Sequence, residues 1–194
     1  MTKAPFGTGD ADELHSMRFI PVIIVGFLIS GAEGQSPVPQ QLPINTPYVA
    51  SPSEIVGTML ELAGVTSSDI VFDLGCGDGR IVISAARKYG ARGVGIDINP
   101  ARVEEARANA RSAGVADRVR FEVNDLFDAD IRNATVIALY LLPDANLRLR
   151  PRLLRELKPG TRVVSHSFNM GDWKPDKQKV VNGDHVYLWT IPEP

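Results

Sequence analysis

The sequence predicts an α/β domain built on a mostly parallel sheet covered by helices on both faces. Three observations carry that expectation. From residue 48 onward, short apolar runs alternate with helix-period segments; a glycine-rich turn joins the first strand to its helix; and an Asn-Gly hairpin signal stands near the end of the chain. Strand-helix alternation with short connections is the pattern of parallel strands linked by crossover helices, whereas the hairpin adds an antiparallel pair.

The elements follow in order. Ser51-Pro52-Ser53-Glu54 reads as a capping box, with Ser51 accepting from the Glu54 N–H, Glu54 reaching back, and Pro52 at the first helical position. Ile55, Val56, Met59, Leu60 and Ala63 then form a helical stripe that Gly64 ends. A strand at 70–74 precedes a helix at 80–89, and a second strand at 93–98 precedes a helix that Asn99 caps, Pro100 starts and Gly114 closes. Strands follow at 119–123 and 134–141, then a basic helical stretch to Leu157 that Pro151 is expected to split into two short helices. After a Lys-Pro-Gly turn come a strand at 162–165 and the hairpin pair 179–181 and 185–191 around Asn182-Gly183-Asp184.

The first 47 residues read differently. Residues 19–32 are an uncharged apolar run preceded by Arg18, shorter than the roughly 20 residues a membrane span needs. They fit the apolar region of a secretory signal or an anchor, with Ser30-Gly31-Ala32 as a small-x-small cleavage pattern. Met17 stands directly before Arg18 and is a second candidate start beside Met1. Residues 35–47 carry four prolines and no charge, an extended tether. The expected organisation is thus a leader at 1–34, the tether at 35–47 and one domain at 48–194. With no Lys or Arg between Gly31 and Gly79, the charge bias favours the domain outside a membrane; without a working signal the protein would be cytoplasmic.

Composition narrows the chemistry. A net charge of −2 over 194 residues argues against general nucleic-acid binding, which wants a basic excess. A single cysteine excludes an intrachain disulfide and a cysteine-rich zinc site, and no cluster has metal-ligand spacing. Asp73-Leu74-Gly75-Cys76-Gly77-Asp78-Gly79 lies between the first strand and its helix, where glycines let backbone approach a ligand. Asp97 ends the second strand, where a carboxylate can take both hydroxyls of a ribose, and Asp125 ends the third, an acceptor beside the expected adenine. Each acid alone also reads as a turn residue. Three such features at successive strand ends, on the edge where these sheets bind ligands, point to an adenosine cofactor. The dinucleotide fingerprint Gly-x-Gly-x-x-Gly is not met: Gly79 comes one place early and Arg80 holds the third glycine's position. Asp78 stands where a pyrophosphate would approach, which suits a cationic sulfonium better than a dianion.

The run Val71-Phe72-Asp73-Leu74-Gly75-Cys76-Gly77-Asp78-Gly79-Arg80, followed by Gly93-Val94-Gly95-Ile96-Asp97 and Asn124-Asp125, resembles the class I S-adenosylmethionine-dependent methyltransferases over residues 48–191. The resemblance implies a Rossmann-like seven-stranded sheet ordered 3-2-1-4-5-7-6 with the last strand antiparallel. It implies that Gly75 and Gly77, with Cys76 between them, shape the methionine pocket, that Asp73 lies near the cofactor's amino group, that Asp97 holds the ribose, and that Asn124 and Asp125 hold the adenine. Pro47-Tyr48-Val49-Ala50-Ser51-Pro52, the segment Gly77 to Ile83 and Tyr140-Leu141-Leu142-Pro143 are more narrowly similar to a group of lysine methyltransferases and its bacterial relatives. Mitochondrial members of that group modify the ATP synthase c-subunit and the adenine nucleotide translocase.

Many amino-methylating relatives have Asp/Asn-Pro-Pro-aromatic after the fourth strand; this chain has Leu139-Tyr140-Leu141-Leu142-Pro143. Tyr140 is expected to line the methyl channel, or else to pack at a strand end. Tyr48 is expected to fold over the cofactor, or to anchor the tether; neither is expected to be an essential base. His166, after the fifth strand, could accept a proton or satisfy a local hydrogen bond; His185 reads as structural and His15 falls in the leader. Cys76 reads as a small filler in the loop, and Trp173 as a loop pin or a rim of the substrate mouth. Residues 144–162 hold six basic side chains against Asp144 and Glu156, either a solvated helix face or a patch for an acidic surface or headgroups. The expected activity is methyl transfer from S-adenosylmethionine to a protein lysine. The alternatives are a small-molecule N-, O- or S-methyltransferase, a nucleotide-binding module without catalysis, and an NAD-dependent oxidoreductase.

Overall fold

A computed structural model describes residues 49–193. The elements run α1 Ser53–Leu62, β1 Ile70–Leu74, α2 Arg80–Tyr89, β2 Arg92–Asp97, α3 Pro100–Ser112, β3 Val119–Val123, β4 Val136–Leu139, α4 Pro143–Glu156, β5 Arg162–His166, β6 Lys177–Val181 and β7 Asp184–Thr190. They form one seven-stranded sheet ordered β3-β2-β1-β4-β5-β7-β6. β1 to β5 pair in parallel, and β7 runs antiparallel to both β5 and β6. The leader, the tether, the apolar run at 19–32, both candidate starts and Tyr48 lie outside the described residues. Among the described residues no helix is long and apolar enough to cross a membrane.

Strand alternation sets the two cores. In β1, Val71 joins the cluster that takes in Ile55 and Met59 of α1 and Val82 of α2, while Phe72 and Leu74 point the other way, to Leu149 and Leu153 of α4. Both faces are covered, so β1 and β4 read as nearly continuous apolar runs. The hairpin turns through Asn182 (φ 53°) and Gly183 (φ 91°), with Val181 paired to Asp184. Both central residues are left-handed, as the two-residue Asn-Gly turn demands.

Two local expectations fail. Ser51 does not cap α1: Pro52 holds the N-cap position without a side-chain cap bond, the Ser51 hydroxyl binds His166 Nδ1 instead (2.8 Å), and Glu54 accepts from Asn182. Pro151 does not split the basic stretch, because α4 runs through it. Pro151 lies on the solvent face, between the buried Leu149 and Leu153. Burial of those two leucines outweighs one missing backbone bond, whose orphaned carbonyl water can reach.

Candidate active site

The carboxyl ends of β1, β2, β3 and β4 open on a cleft of about 620 Å³. Its floor is the turn between β1 and α2. Gly75 (φ 88°) and Cys76 donate their N–H groups to the Ile96 carbonyl at 2.8 and 2.9 Å, which ties the loop to β2. Gly79 (φ 79°) starts α2 in a left-handed conformation, and a Cβ there would lie 2.6 Å from the Phe121 ring. Only glycine lets the loop, β3 and α2 pack this closely.

Asp97 is fixed on both oxygens. Oδ2 accepts from Gly77 N–H (2.8 Å) and Oδ1 from Asn99 N–H (2.9 Å). Each carboxylate oxygen keeps a second lone-pair direction for a ligand hydroxyl. Asn124 hangs from β2 through its N–H on the Asp97 carbonyl (3.0 Å), and Asp125 Oδ1 accepts from Phe127 N–H (2.8 Å). Arg152 of α4 holds the following loop, donating to the Leu126 carbonyl (2.9 Å) and to that of Ala129. Much of the basic strip is engaged in this way: Arg150 binds the Met170 carbonyl and Asp172, Arg155 pairs with Glu156, Arg162 with Asp69, and Arg148 lies 3.9 Å over the Phe127 ring. Part of the strip, Arg150, Arg152 and Arg162, therefore serves the fold and the cleft wall, while Arg148, Arg155 and Lys158 remain exposed.

Asp73 is the electrostatic centre. Its carboxyl is buried, and burial together with the like charges of Asp97 and Asp78 pushes it up to about 8. A buried acid beside two others calls for a cationic ligand. Asp78 itself is gripped by Arg80, whose Nε and Nη2 lie 2.6–3.1 Å from its oxygens; Arg80 Nη1 also donates to the Ser51 carbonyl (2.9 Å). Burial likewise pushes the Cys76 thiol up, and the charges of Asp73 and Asp97 push the same way, so it is no nucleophile.

Across the cleft, Tyr140 follows β4. One face of its ring stacks on His166 (centroids 4.0 Å apart), and Phe168 lies beyond it at 6.4 Å. Phe168 is aimed there by a three-residue turn: its N–H bonds back to the His166 carbonyl (2.8 Å) around Ser167 at φ 62°. The buried Asn146 of α4 and Ser165 brace that turn through the Phe168 carbonyl, at 3.2 and 2.7 Å. Trp173 pins its loop instead of rimming the mouth: its carbonyl accepts from Trp189 Nε1 (2.8 Å), and it is not among the cleft-lining side chains.

Asp73, Gly75, Cys76, Asp97, Asn124, Asp125 and Tyr140 thus line one cleft. Gly77 does not line it; it acts through its N–H on Asp97. A cation-seeking acid, a doubly anchored ribose-type acceptor and a strand-end acid fit a cationic adenosine cofactor. The ANTKMT methyltransferase domain pattern matches residues 73–177. This chain belongs to the ANTKMT methyltransferase family. A Saccharolobus islandicus protein-lysine N-methyltransferase is 46% identical over 77% of this chain and 96% of its own length. The Mus musculus adenine nucleotide translocase lysine N-methyltransferase is 36% identical over 77% of this chain, which spans 65% of that relative. A Salinibacter ruber RNA methyltransferase, solved with S-adenosyl-L-homocysteine, is 59% identical over 75% of this chain and 95% of its own, with a TM-score of 0.75. This ANTKMT-family protein is an S-adenosylmethionine-dependent methyltransferase. Sequence reasoning missed the Ser51–His166 bond, the Arg80 clamp and the Asn146 brace. The Ser51–His166, Arg80–Ser51 and Asn146–Phe168 bonds join residues 115, 29 and 22 apart, and no local pattern announces them.

Proposed function

We propose that this methyltransferase modifies the side-chain amine of a protein lysine. The observation that carries the reading is the aromatic wall of the cleft: Tyr140 and Phe168 face a space whose rim includes the exposed Val49 and Leu142. Such a wall suits a long aliphatic stem that ends in a cation or an amine. The 46% identity to a protein-lysine N-methyltransferase supports it.

In this reading Asp97 takes the ribose hydroxyls, Asn124 and Asp125 flank the adenine, and Asp73 pairs with the amino group of the methionine part. When bound, S-adenosylmethionine supplies a sulfonium methyl for in-line displacement by the lysine nitrogen. The chain's own contribution is alignment and exclusion of water, a term that reaches about 7–11 kcal/mol in well-oriented reactions. Tyr140 and Phe168 hold the stem, and Val49 with Ala50 line the cleft beside them.

The Salinibacter ruber likeness carries RNA as a second reading. Against it, lysines and arginines only balance the acids over residues 49–193, and two of the four α4 arginines, Arg150 and Arg152, are engaged with the protein's own carbonyls. Transfer of labelled methyl from S-adenosylmethionine to a cell lysate decides: label that is protease-sensitive and recovered as methyl-lysine is expected. Label that is ribonuclease-sensitive, or that is recovered in small molecules, overturns the reading. We also take the apolar run at 19–32 as a signal or membrane anchor; a full chain that is neither exported nor held in the membrane fraction would overturn that.

A further inference from the structure

A lysine amine reaches neutral pH as an ammonium, and a nitrogen without a lone pair cannot attack. The cleft holds a buried route away from it. Ser51, itself buried, lines the cleft, and its Oγ lies 2.8 Å from Nδ1 of His166. His166 is almost wholly buried, and its Nε2 has no hydrogen-bond partner among the described residues. The atom facing Nε2 is Asp184 Oδ2, 3.8 Å away, on a side chain that is 45% exposed. The ring also stacks on Tyr140, which follows β4; Arg80 donates to the Ser51 carbonyl, and Glu54 of α1 is engaged with Asn182. A bare nitrogen facing a carboxylate would be repelled. The favoured tautomer therefore carries its proton on Nε2, toward Asp184, and leaves Nδ1 to accept from the Ser51 hydroxyl.

We propose that Ser51, His166 and Asp184 form the path by which the acceptor ammonium loses its proton. One N–H bond of the ammonium breaks as its proton passes to Ser51 Oγ, while the Ser51 hydroxyl proton passes to His166 Nδ1. The imidazolium so formed releases its Nε2 proton to water past Asp184, and after the product leaves, proton exchange with water at both ends of the path returns the ring to its Nε2–H form. No electrons are exchanged, and the amine keeps the lone pair that attacks. Burial holds His166 below its ordinary value, against the opposing pull of Asp184, so the ring is neutral at pH 7 and carries a proton only in passing. The inference rests on the amine reading given above, and it adds the residues that make the amine reactive.

Two measurements test it on the full chain. Nitrogen NMR of the histidine rings at pH 7, without ligand, is expected to show His166 neutral, with the proton on Nε2 and Nδ1 hydrogen-bonded, and Ser51→Ala is expected to remove that bond. A proton on Nδ1, or a charged ring, overturns the path. Initial rates of methyl-lysine formation in lysate protein are then compared from pH 6.5 to 9.5. His166→Asn is expected to cost about 100-fold at pH 7, in the usual range for general-base assistance, and much less at pH 9.5, where more of the amine arrives neutral. Ser51→Ala should follow the same curve and Ser51→Thr should restore the rate, which covers the case of an unfolded His166→Asn. A loss that is equal at every pH, or no loss, overturns the path and leaves the pair as packing. If the wild type forms no methyl-lysine at any pH, the amine reading has failed, and the tautomer alone then judges the path.

Discussion

One aspartate stands just before β1 and another near its carboxyl end, and the surroundings of the two are opposite. At the amino end, burial alone would raise Asp69, but hydrogen bonds from Thr135 and Thr66 and the charge of Arg162 overcome it and hold the carboxyl below its usual range. At the carboxyl end, Asp73 is buried more deeply, and its charged neighbours, Asp97 and Asp78, push it up with burial. The same residue type is neutralised by the protein at one end of the strand and left wanting a cation at the other. A fold has no use for an uncompensated buried acid, so the difference marks which edge of the sheet is a site and which is scaffold.

The largest expected effect tests the site edge. Asp97→Ala removes a carboxylate whose orientation is fixed by two backbone donors. Charged hydrogen bonds contribute about 1.5–3 kcal/mol each, so loss of two to a ribose weakens S-adenosylmethionine by about 10²–10⁴-fold. Titration calorimetry measures it, with circular dichroism showing that the domain stays folded. Unchanged affinity would remove Asp97 from the cofactor site.

The scaffold edge should respond the other way. Asp69→Ala leaves Arg162 in the sheet without its carboxylate and frees the Thr66 and Thr135 donors. Breaking a buried pair costs about 3–5 kcal/mol. Arg162 keeps 26% of its side chain exposed, so about 2–3 kcal/mol is expected here. Denaturant unfolding gives the number, and the cofactor affinity of the folded variant should match the wild type. A variant with full stability and weakened binding would erase the contrast between the two ends.

The contrast itself was only half legible in the sequence. Asp73, Asp97 and Asp125 stood out because they end successive strands beside a glycine turn, and those boundaries follow from period-2 apolar runs. The strand order came from family resemblance, since periodicity says nothing about which strands are neighbours. Asp69 raised no signal, because its meaning depends on Arg162, 93 residues on. Ser51 misled for the same reason: a capping box is a local pattern, and a buried histidine 115 residues away outcompeted it. Pro151 misled because the local rule for proline leaves out burial of the leucines on either side. Local periodicity survives folding; the assignment of polar side chains to partners does not, because it is settled by tertiary proximity.

The smallest effect per step is also the sharpest probe of Asp73. In the folded chain its proton stays on up to about pH 8; in the unfolded chain it leaves near the ordinary value of 3.8. Between those values the folded state holds a proton that the unfolded state has released, so stability without cofactor falls as pH rises, by at most about 1.4 kcal/mol per pH unit. Asp73→Asn, neutral in both states, should remove Asp73's share of that slope in denaturant midpoints collected from pH 5 to 8. Binding must run opposite, because a cationic ligand favours the ionised carboxyl. S-adenosylmethionine affinity in the wild type should therefore rise between pH 5 and 7.5, by no more than about tenfold per unit, and stay flat in Asp73→Asn. A wild-type affinity independent of pH would mean that the carboxyl does not change its protonation when the ligand binds, and its pairing with a cationic ligand would then fall.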